Sequence, residues 1–95
     1  MPYNIEWSPR AKFTHQQILD YLQENWTEKE IINFLRRTET VLFYISRNPL
    51  QYPYSKKDDS HKCVVRKQVS LFYQIKQNRI ELLYFWDNRQ DPQKL

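Results

Sequence analysis

Hydrophobic and polar residues follow two different periods along the first part of the chain. Residues 3–7 alternate large apolar with polar side chains, which is the period of a half-buried strand. Ser8 and Pro9 are residue types preferred at the N-cap and the first position of a helix. The apolar positions that follow share one helical face from about Pro9 to about Asn25: Ala11, Ile18, Leu19 and Leu22, with Tyr21 beside them.

A second helix is predicted after Trp26. The segment 27–30 is a capping box, in which Thr27 bonds the amide of Glu30 and Glu30 reaches back. Asn48 and Pro49 end this helix, because the residue before proline avoids the helical conformation. The apolar stripe between these signals has three- and four-residue steps: Ile31, Phe34, Leu35, Thr38, Val41, Leu42 and Ile45. Because the link around Trp26 between the two predicted helices is so short, the two helices are predicted to form an antiparallel hairpin.

Three strands are predicted in the second half, after a connector over residues 50–60. They run from His61 to about Lys67, from Val69 to about Lys76 and from Arg79 to Trp86, with a tight turn at residues 77–78. The apolar run 80–86 indicates a strand buried on both faces, and the polar segment 87–92 ends it. The prediction is a single α+β domain over residues 1–95, ordered β-α-α-β-β-β, with a helical hairpin packed on an antiparallel sheet.

The composition favours some kinds of binding partner and excludes several classes of function. The 95 residues carry a net charge of +4, which favours an anionic partner, either nucleic acid or an acidic protein. Glycine is absent, which excludes the glycine-dependent phosphate-binding loops, and the single cysteine, Cys63, fits a reducing cytoplasm. No apolar run approaches the length of about 20 residues that a membrane span needs, and the amino end is not typical of a signal peptide.

Six short motifs occur in a specific order and spacing. They are residues 7–11, the predicted hairpin through Tyr21-Leu22 and Trp26, residues 45–49, residues 61–65, residues 71–75 and residues 82–92. Together they resemble the RelE/ParE toxin superfamily of bacterial type II toxin–antitoxin modules, with most similarity to the ParE-like branch, and the resemblance extends over almost the whole chain. The family pattern often has glycine after the Asn-Pro pair and before the final arginine. Here Asn88 occupies the second of these places.

The resemblance implies a small cytoplasmic toxin that inhibits growth, serves in plasmid stabilisation and is held inactive by a cognate antitoxin. In this superfamily, ParE-like members poison DNA gyrase and are not nucleases, whereas RelE-like members cleave mRNA on the ribosome without a metal. Three hypotheses follow: a ParE-like toxin that binds a cellular target, a RelE-like mRNA endonuclease, and a non-toxic interaction domain on the same fold. No cofactor is expected in any of them.

A nuclease would need a base, an acid and cations that stabilise the charged phosphorane. The candidates are Arg89, Lys62, Arg66, His61 and Tyr84. Strict alternation along the strand places Lys62, Val64 and Arg66 on one face, and His61, Cys63, Val65 and Lys67 on the other. The simpler interpretation of Lys62 and Arg66 is a solvated strand face kept soluble by charge.

The binding hypothesis favours the polar segment after the last strand. Its target-binding candidates are Arg89, Asn88 and Asp87, together with Arg79 at the start of that strand. Arg89 suits a phosphate or a carboxylate, although a structural pair with Asp87 or Asp91 explains it equally well.

The outer face of the second predicted helix is basic, and its antitoxin-binding candidates are Lys29, Arg36 and Arg37. A metal site is not expected, because His61 and Cys63 form the only closely spaced pair of soft ligands.

Overall fold

The structure, a computed structural model, describes residues 2–90, with the backbone alone described for Gln90. Its helices and strands are β1 (Asn4–Trp7), α1 (Pro9–Asn25), α2 (Glu28–Arg47), β2 (Tyr54–Ser55), β3 (Ser60–Arg66), β4 (Val69–Ile75) and β5 (Arg79–Asp87). Short 3-10 turns follow α2 at Pro49–Gln51 and β5 at Asn88–Gln90. The predicted helices and strands are confirmed to within one residue at each end, and only the short β2 was not predicted.

The capping signals explain why both helices begin where they do. The Ala11 amide donates to Ser8 Oγ over 2.9 Å, and the Glu30 amide donates to Thr27 Oγ1 over 3.3 Å. At the far end of α2, the Asn48 amide donates to the carbonyl of Tyr44, and Pro49 follows immediately. The predicted hairpin is therefore formed, with Trp26 and Thr27 as its link.

The five strands form one sheet in the order β1-β5-β4-β3-β2. Strands β2 to β5 are antiparallel, as predicted, whereas β1 pairs in parallel with β5, so the sheet is mixed. A parallel pair needs a long crossover connection, and the helical hairpin and strands β2 to β4 provide one between β1 and β5. Strand β5 thus lies between β1 and β4, where its apolar run is paired along both edges.

Both helices cover one face of the sheet, which we call the covered face. Its core consists of fully buried side chains from the helices and from β3, β4 and β5: Ala11, Ile18, Leu22, Phe34, Val41, Ile45, Cys63, Val65, Val69, Leu71, Tyr73, Ile80, Leu82 and Phe85. Leu35, which was predicted in the apolar stripe, is exposed instead. Among the helices of residues 2–90, none combines the length and apolarity needed to cross a membrane.

The other side of the sheet, which we call the open face, is not buried. Trp86 is 39% exposed and Tyr84 is half-buried, so the prediction that β5 is buried on both faces is wrong. The physical reason is that both helices pack on the same side of the sheet. A bulge at Leu83, which has no register partner in β4, then lets Phe85 return to the covered face.

Candidate functional site

The open face holds a depression of about 300 Å³ across β3, β4 and β5. It is lined by Lys62, Ser70, Phe72, Tyr84, Trp86 and Asn88. Arg10, from the first turn of α1, reaches over its edge to Tyr84, with Cζ 4.0 Å from the ring centroid. We call these seven residues the open-face patch.

The aromatic side chains of the patch are held by specific contacts. Phe72 and Tyr84 are register partners on β4 and β5, and their rings stack with centroids 4.7 Å apart. Trp86 Nε1 donates a hydrogen bond of 2.8 Å to Asn88 Oδ1, and the Asn88 amide donates to the carbonyl of Gln68. Asn88 therefore links the indole to the β3–β4 turn and fixes its direction.

The end of β5 carries a buried ion pair between Asp87 and Arg89. The Asp87 side chain is 1% exposed and accepts three hydrogen bonds from Arg89: from the backbone amide (2.9 Å), Nε (3.0 Å) and Nη2 (2.9 Å). Hydrogen bonding to Asp87 raises the pKa of the Arg89 guanidinium above its ordinary value. The structural pairing with Asp87 considered from the sequence is confirmed, while the alternative partner, Asp91, lies outside the described residues.

Arg89 also borders a second cleft at this end of the molecule. Its guanidinium carbon lies 5.2 Å from the Tyr21 ring and 5.4 Å from the Trp26 ring, which is cation–π distance. This cleft, of about 380 Å³, is lined by Trp26, Arg66, Lys67, Gln68 and Arg89. Arg89 thus connects the end of β5 to the link between the helices.

Arg66 does not lie on the open face beside Lys62, so the strict alternation predicted for β3 is wrong at this position. Val65 has no register partner in β4, and this bulge shifts the residues that follow it. Arg66 Nη2 instead lies 3.1 Å from Glu30 Oε2 at the start of α2. The predicted nuclease set is therefore divided between the open face and the second cleft.

His61 is also separated from the patch. Its ring packs between Tyr54 and Tyr73, with centroids 5.1 and 5.2 Å away, on the covered side of the sheet. Burial lowers the pKa of His61, and its Nδ1 has no hydrogen-bond partner within residues 2–90. Lys62 and Tyr84 are consequently the members of the predicted nuclease set that share the open face, whereas Arg66 and Arg89 share the second cleft.

Arg79 lies at the opposite end of β5 from Arg89. Its Nε is 2.9 Å from Glu6 Oε1, and both side chains are substantially exposed. Of the four target-binding candidates, Asp87, Asn88 and Arg89 are neighbours, whereas Arg79 is remote from them. Sequence reasoning missed Arg10, Ser70, Phe72 and Trp86 as patch members. The alternation of Leu71, Phe72 and Tyr73 is the signal that identifies an aromatic residue facing away from the core.

The antitoxin-binding candidates on α2 are all exposed, but they differ in direction. Arg37 Nε donates a 3.0 Å hydrogen bond to the carbonyl of Val65, so its side chain crosses to β3. Arg36 faces outward and lines a shallow depression on α2 with Glu39, Thr40, Phe43 and Tyr44. Phe43 and Tyr44 are exposed aromatic residues that the charge pattern did not reveal.

Metal and thiol chemistry find no support in the described part of the chain. Within residues 2–90, no group of three or more His, Cys, Asp or Glu side chains is placed to hold a metal ion. Burial raises the pKa of the Cys63 thiol, which keeps it protonated and poorly nucleophilic.

Solved structures with the same fold belong to toxin–antitoxin systems. A chain of the chromosomal ParDE toxin–antitoxin system from P. aeruginosa superposes with a TM-score of 0.74 at 11% identity, over 90% of this chain and 95% of that chain. The YoeB–YefM complex from Staphylococcus aureus gives a TM-score of 0.61 at 19% identity, over 90% and 97% of the two chains. A copper-bound mutant toxin from Helicobacter pylori gives 0.59 at 17% identity, over 93% and 97%.

No protein-family model and no curated protein matches the sequence. The similarity is therefore one of structure, and it extends over about nine-tenths of the chain. The element order and the helical hairpin on one face of the sheet agree with the α+β fold expected from the sequence motifs. The chain has the fold of the RelE/ParE toxins.

Proposed function

We propose that this chain is the toxin of a bacterial type II toxin–antitoxin pair and that a cognate antitoxin neutralises it in the cytoplasm. The observation that carries the proposal is the shared fold, which covers nearly the full length of both this chain and chains from the ParDE and YoeB–YefM systems.

Within this class we propose a ParE-like toxin that acts by binding a protein target, with DNA gyrase as the first candidate. The ParDE chain superposes with a TM-score of 0.74, against 0.61 for the YoeB–YefM complex. The arrangement of the titratable groups also favours binding over cleavage. His61 is buried among tyrosines on the covered side, away from Lys62 and Tyr84 on the open face, so its imidazole does not converge with them on one site.

The antitoxin is proposed to bind the outer face of α2. Arg36 is exposed there beside the aromatic side chains of Phe43 and Tyr44, and Lys29 is exposed nearer the start of the helix. Exposed aromatic anchors flanked by cations suit an acidic, amphipathic segment of a partner protein. Arg37 contributes less to such a surface, because its guanidinium is directed to the Val65 carbonyl.

The decisive experiment expresses the chain without an antitoxin and measures growth. Growth should stop, and purified chain should inhibit supercoiling by gyrase while primer extension finds no ribosome-dependent cuts in mRNA. Arg89→Ala should abolish the arrest, because it removes the two side-chain hydrogen bonds to Asp87 that hold the turn carrying Asn88. Arg79 lies at the far end of β5, outside the proposed surface, so Arg79→Ala is the matched control and should retain the arrest.

A RelE-like endonuclease is the second candidate, favoured by the convergence of Arg10, Lys62 and Tyr84 in one depression. Ribosome-dependent cuts in mRNA with unaffected gyrase would establish it and refute the gyrase proposal. The third candidate, a non-toxic interaction domain, predicts normal growth on expression. A small acidic protein encoded in the neighbouring reading frame would support either toxin.

A further inference from the structure

The open-face patch combines aromatic side chains that are half-buried or exposed with cations that have no carboxylate partner among the described residues. Within residues 2–90, Arg66, Lys76, Arg79 and Arg89 each form an ion pair, and Arg10 and Lys62 are among the cations that form none. Trp86 and Val64 beside them are 39% and 55% exposed. Solvated cations next to exposed apolar area are typical of a surface that meets an acidic partner.

We infer that the open-face patch is the surface through which this chain contacts its cellular target, and that the target is a protein presenting a carboxylate beside a bulky apolar side chain. The inference rests on the proposed toxin function, and it assigns the target to a different surface from the antitoxin face on α2. Arg10 and Lys62 would receive the carboxylate, and Trp86 and Phe72 would contact the apolar group.

The patch is organised before any partner arrives. The hydrogen bond from Trp86 Nε1 to Asn88 Oδ1 fixes the indole, and stacking on Phe72 fixes the Tyr84 ring. The Asp87–Arg89 pair in turn holds the turn that carries Asn88. Side chains that are already ordered lose less conformational entropy on binding, so this arrangement favours association.

The geometry favours a protein over a nucleic acid. Stacking of bases needs free aromatic faces, but Phe72 and the Arg10 guanidinium both lie against the Tyr84 ring, at 4.7 and 4.0 Å. The indole N–H of Trp86 is already donated to Asn88. Two cations, Arg10 and Lys62, also form a small electrostatic footprint for a phosphate backbone, whose binding depends on many such contacts.

The test measures growth arrest by the full chain carrying Lys62→Glu or Trp86→Ala. Each should weaken the arrest at least about tenfold in the expression level required, since a rim charge and a central aromatic anchor are the groups that such interfaces depend on. Lys56→Glu makes the same charge change in the exposed connector, and Leu50→Ala removes a 74% exposed apolar side chain, so both should leave the arrest unchanged.

Circular dichroism of each purified variant verifies folding, and Lys62→Gln serves as a milder second variant if Lys62→Glu is unstable. Arrest that persists in Lys62→Gln and Trp86→Ala would overturn the surface assignment and leave the toxin function intact. Normal growth with the wild-type chain would overturn both. Loss of arrest in the patch variants, with mRNA cuts by the wild type, would overturn the commitment to a protein target.

Discussion

The two faces of the sheet are built from the same kinds of residue, but these residues have different surroundings. On the covered face, Leu71, Tyr73 and Phe85 are fully enclosed by the helices. On the open face, Phe72 and Tyr84 stack on each other and are half-buried, and Trp86 is 39% exposed. The difference shows that position in the fold, and not residue type, decides whether an aromatic side chain of β4 or β5 stabilises the core or forms part of the exposed surface.

The largest effect on stability is expected at the edge of the covered face, where Asp87 is buried. Arg89→Ala should lower the free energy of unfolding by roughly 3 kcal/mol, because it leaves the Asp87 carboxylate buried without a cation. Urea denaturation monitored by tryptophan fluorescence gives the value. Adding Asp87→Asn to Arg89→Ala should recover part of the loss, and a single variant as stable as the wild type would show that the pair is not structural.

The next test compares two adjacent valines on β3 that point to opposite faces. Val65 is 2% exposed and Val64 is 55% exposed. Val65→Ala should cost about 2 kcal/mol through lost burial and a residual cavity, whereas Val64→Ala should cost under about 0.5 kcal/mol. Equal losses in denaturation experiments would mean that the open face is covered in solution.

A variant of Ser8 tests whether this side chain stabilises the bulge at Leu83. Its hydroxyl accepts from the Ala11 amide and donates to the carbonyl of Leu83, the bulged residue of β5, over 2.9 Å. Ser8→Ala should therefore cost about 1.5 kcal/mol, somewhat more than the loss of a helix cap alone. Thr27→Ala is the matched control, since Thr27 caps α2 without a second contact to the sheet. A smaller loss for Ser8→Ala than for Thr27→Ala would contradict this role.

The two bulges, at Val65 in β3 and at Leu83 in β5, could not be predicted from the sequence. The caps, the Asn-Pro pair and the apolar periodicity are local signals, and they located both helices and the main strands. The carbonyls freed at Leu83 and Val65 are bonded by Ser8 and Arg37, which are 75 and 28 positions away in the chain. No local pattern contains such contacts, so the faces of Arg66 and Phe85 could not be assigned by alternation.

The candidate site was predicted only in part, because some of its residues are brought together by contacts between distant parts of the chain. The polar segment after β5 was located, and Asp87, Asn88 and Arg89 do lie together. The contribution of Arg10 depends on α1 lying alongside β5, which brings its guanidinium over Tyr84. Trp86 was assigned to the core because a large aromatic residue in an apolar run is usually buried.

Two histidines provide a pH test of the covered face. His15 packs among Trp7, Phe34 and Phe85, His61 packs against Tyr73, and burial lowers the pKa of both imidazoles. The unfolded chain then binds protons at a higher pH than the folded protein. Stability should be complete above the unfolded pKa of about 6.5 and should fall as the pH drops below it.

Urea midpoints measured in a pH series will show this decline. His61→Phe, which keeps an aromatic ring between the tyrosines, should make it shallower. An unchanged slope in His61→Phe would show that His61 does not contribute to it.

The smallest effect is expected at the open face's far end, where Arg79 pairs with Glu6. This pair has the chemistry of Asp87–Arg89, but its side chains are 41% and 59% exposed, so solvent and salt screen the attraction. Arg79→Ala should change the free energy of unfolding by less than about 0.5 kcal/mol, and the difference should disappear in high salt. Arg89→Ala should keep most of its loss in the same high salt, because its carboxylate is buried. If both variants responded to salt alike, burial would not be what distinguishes the two ends of β5.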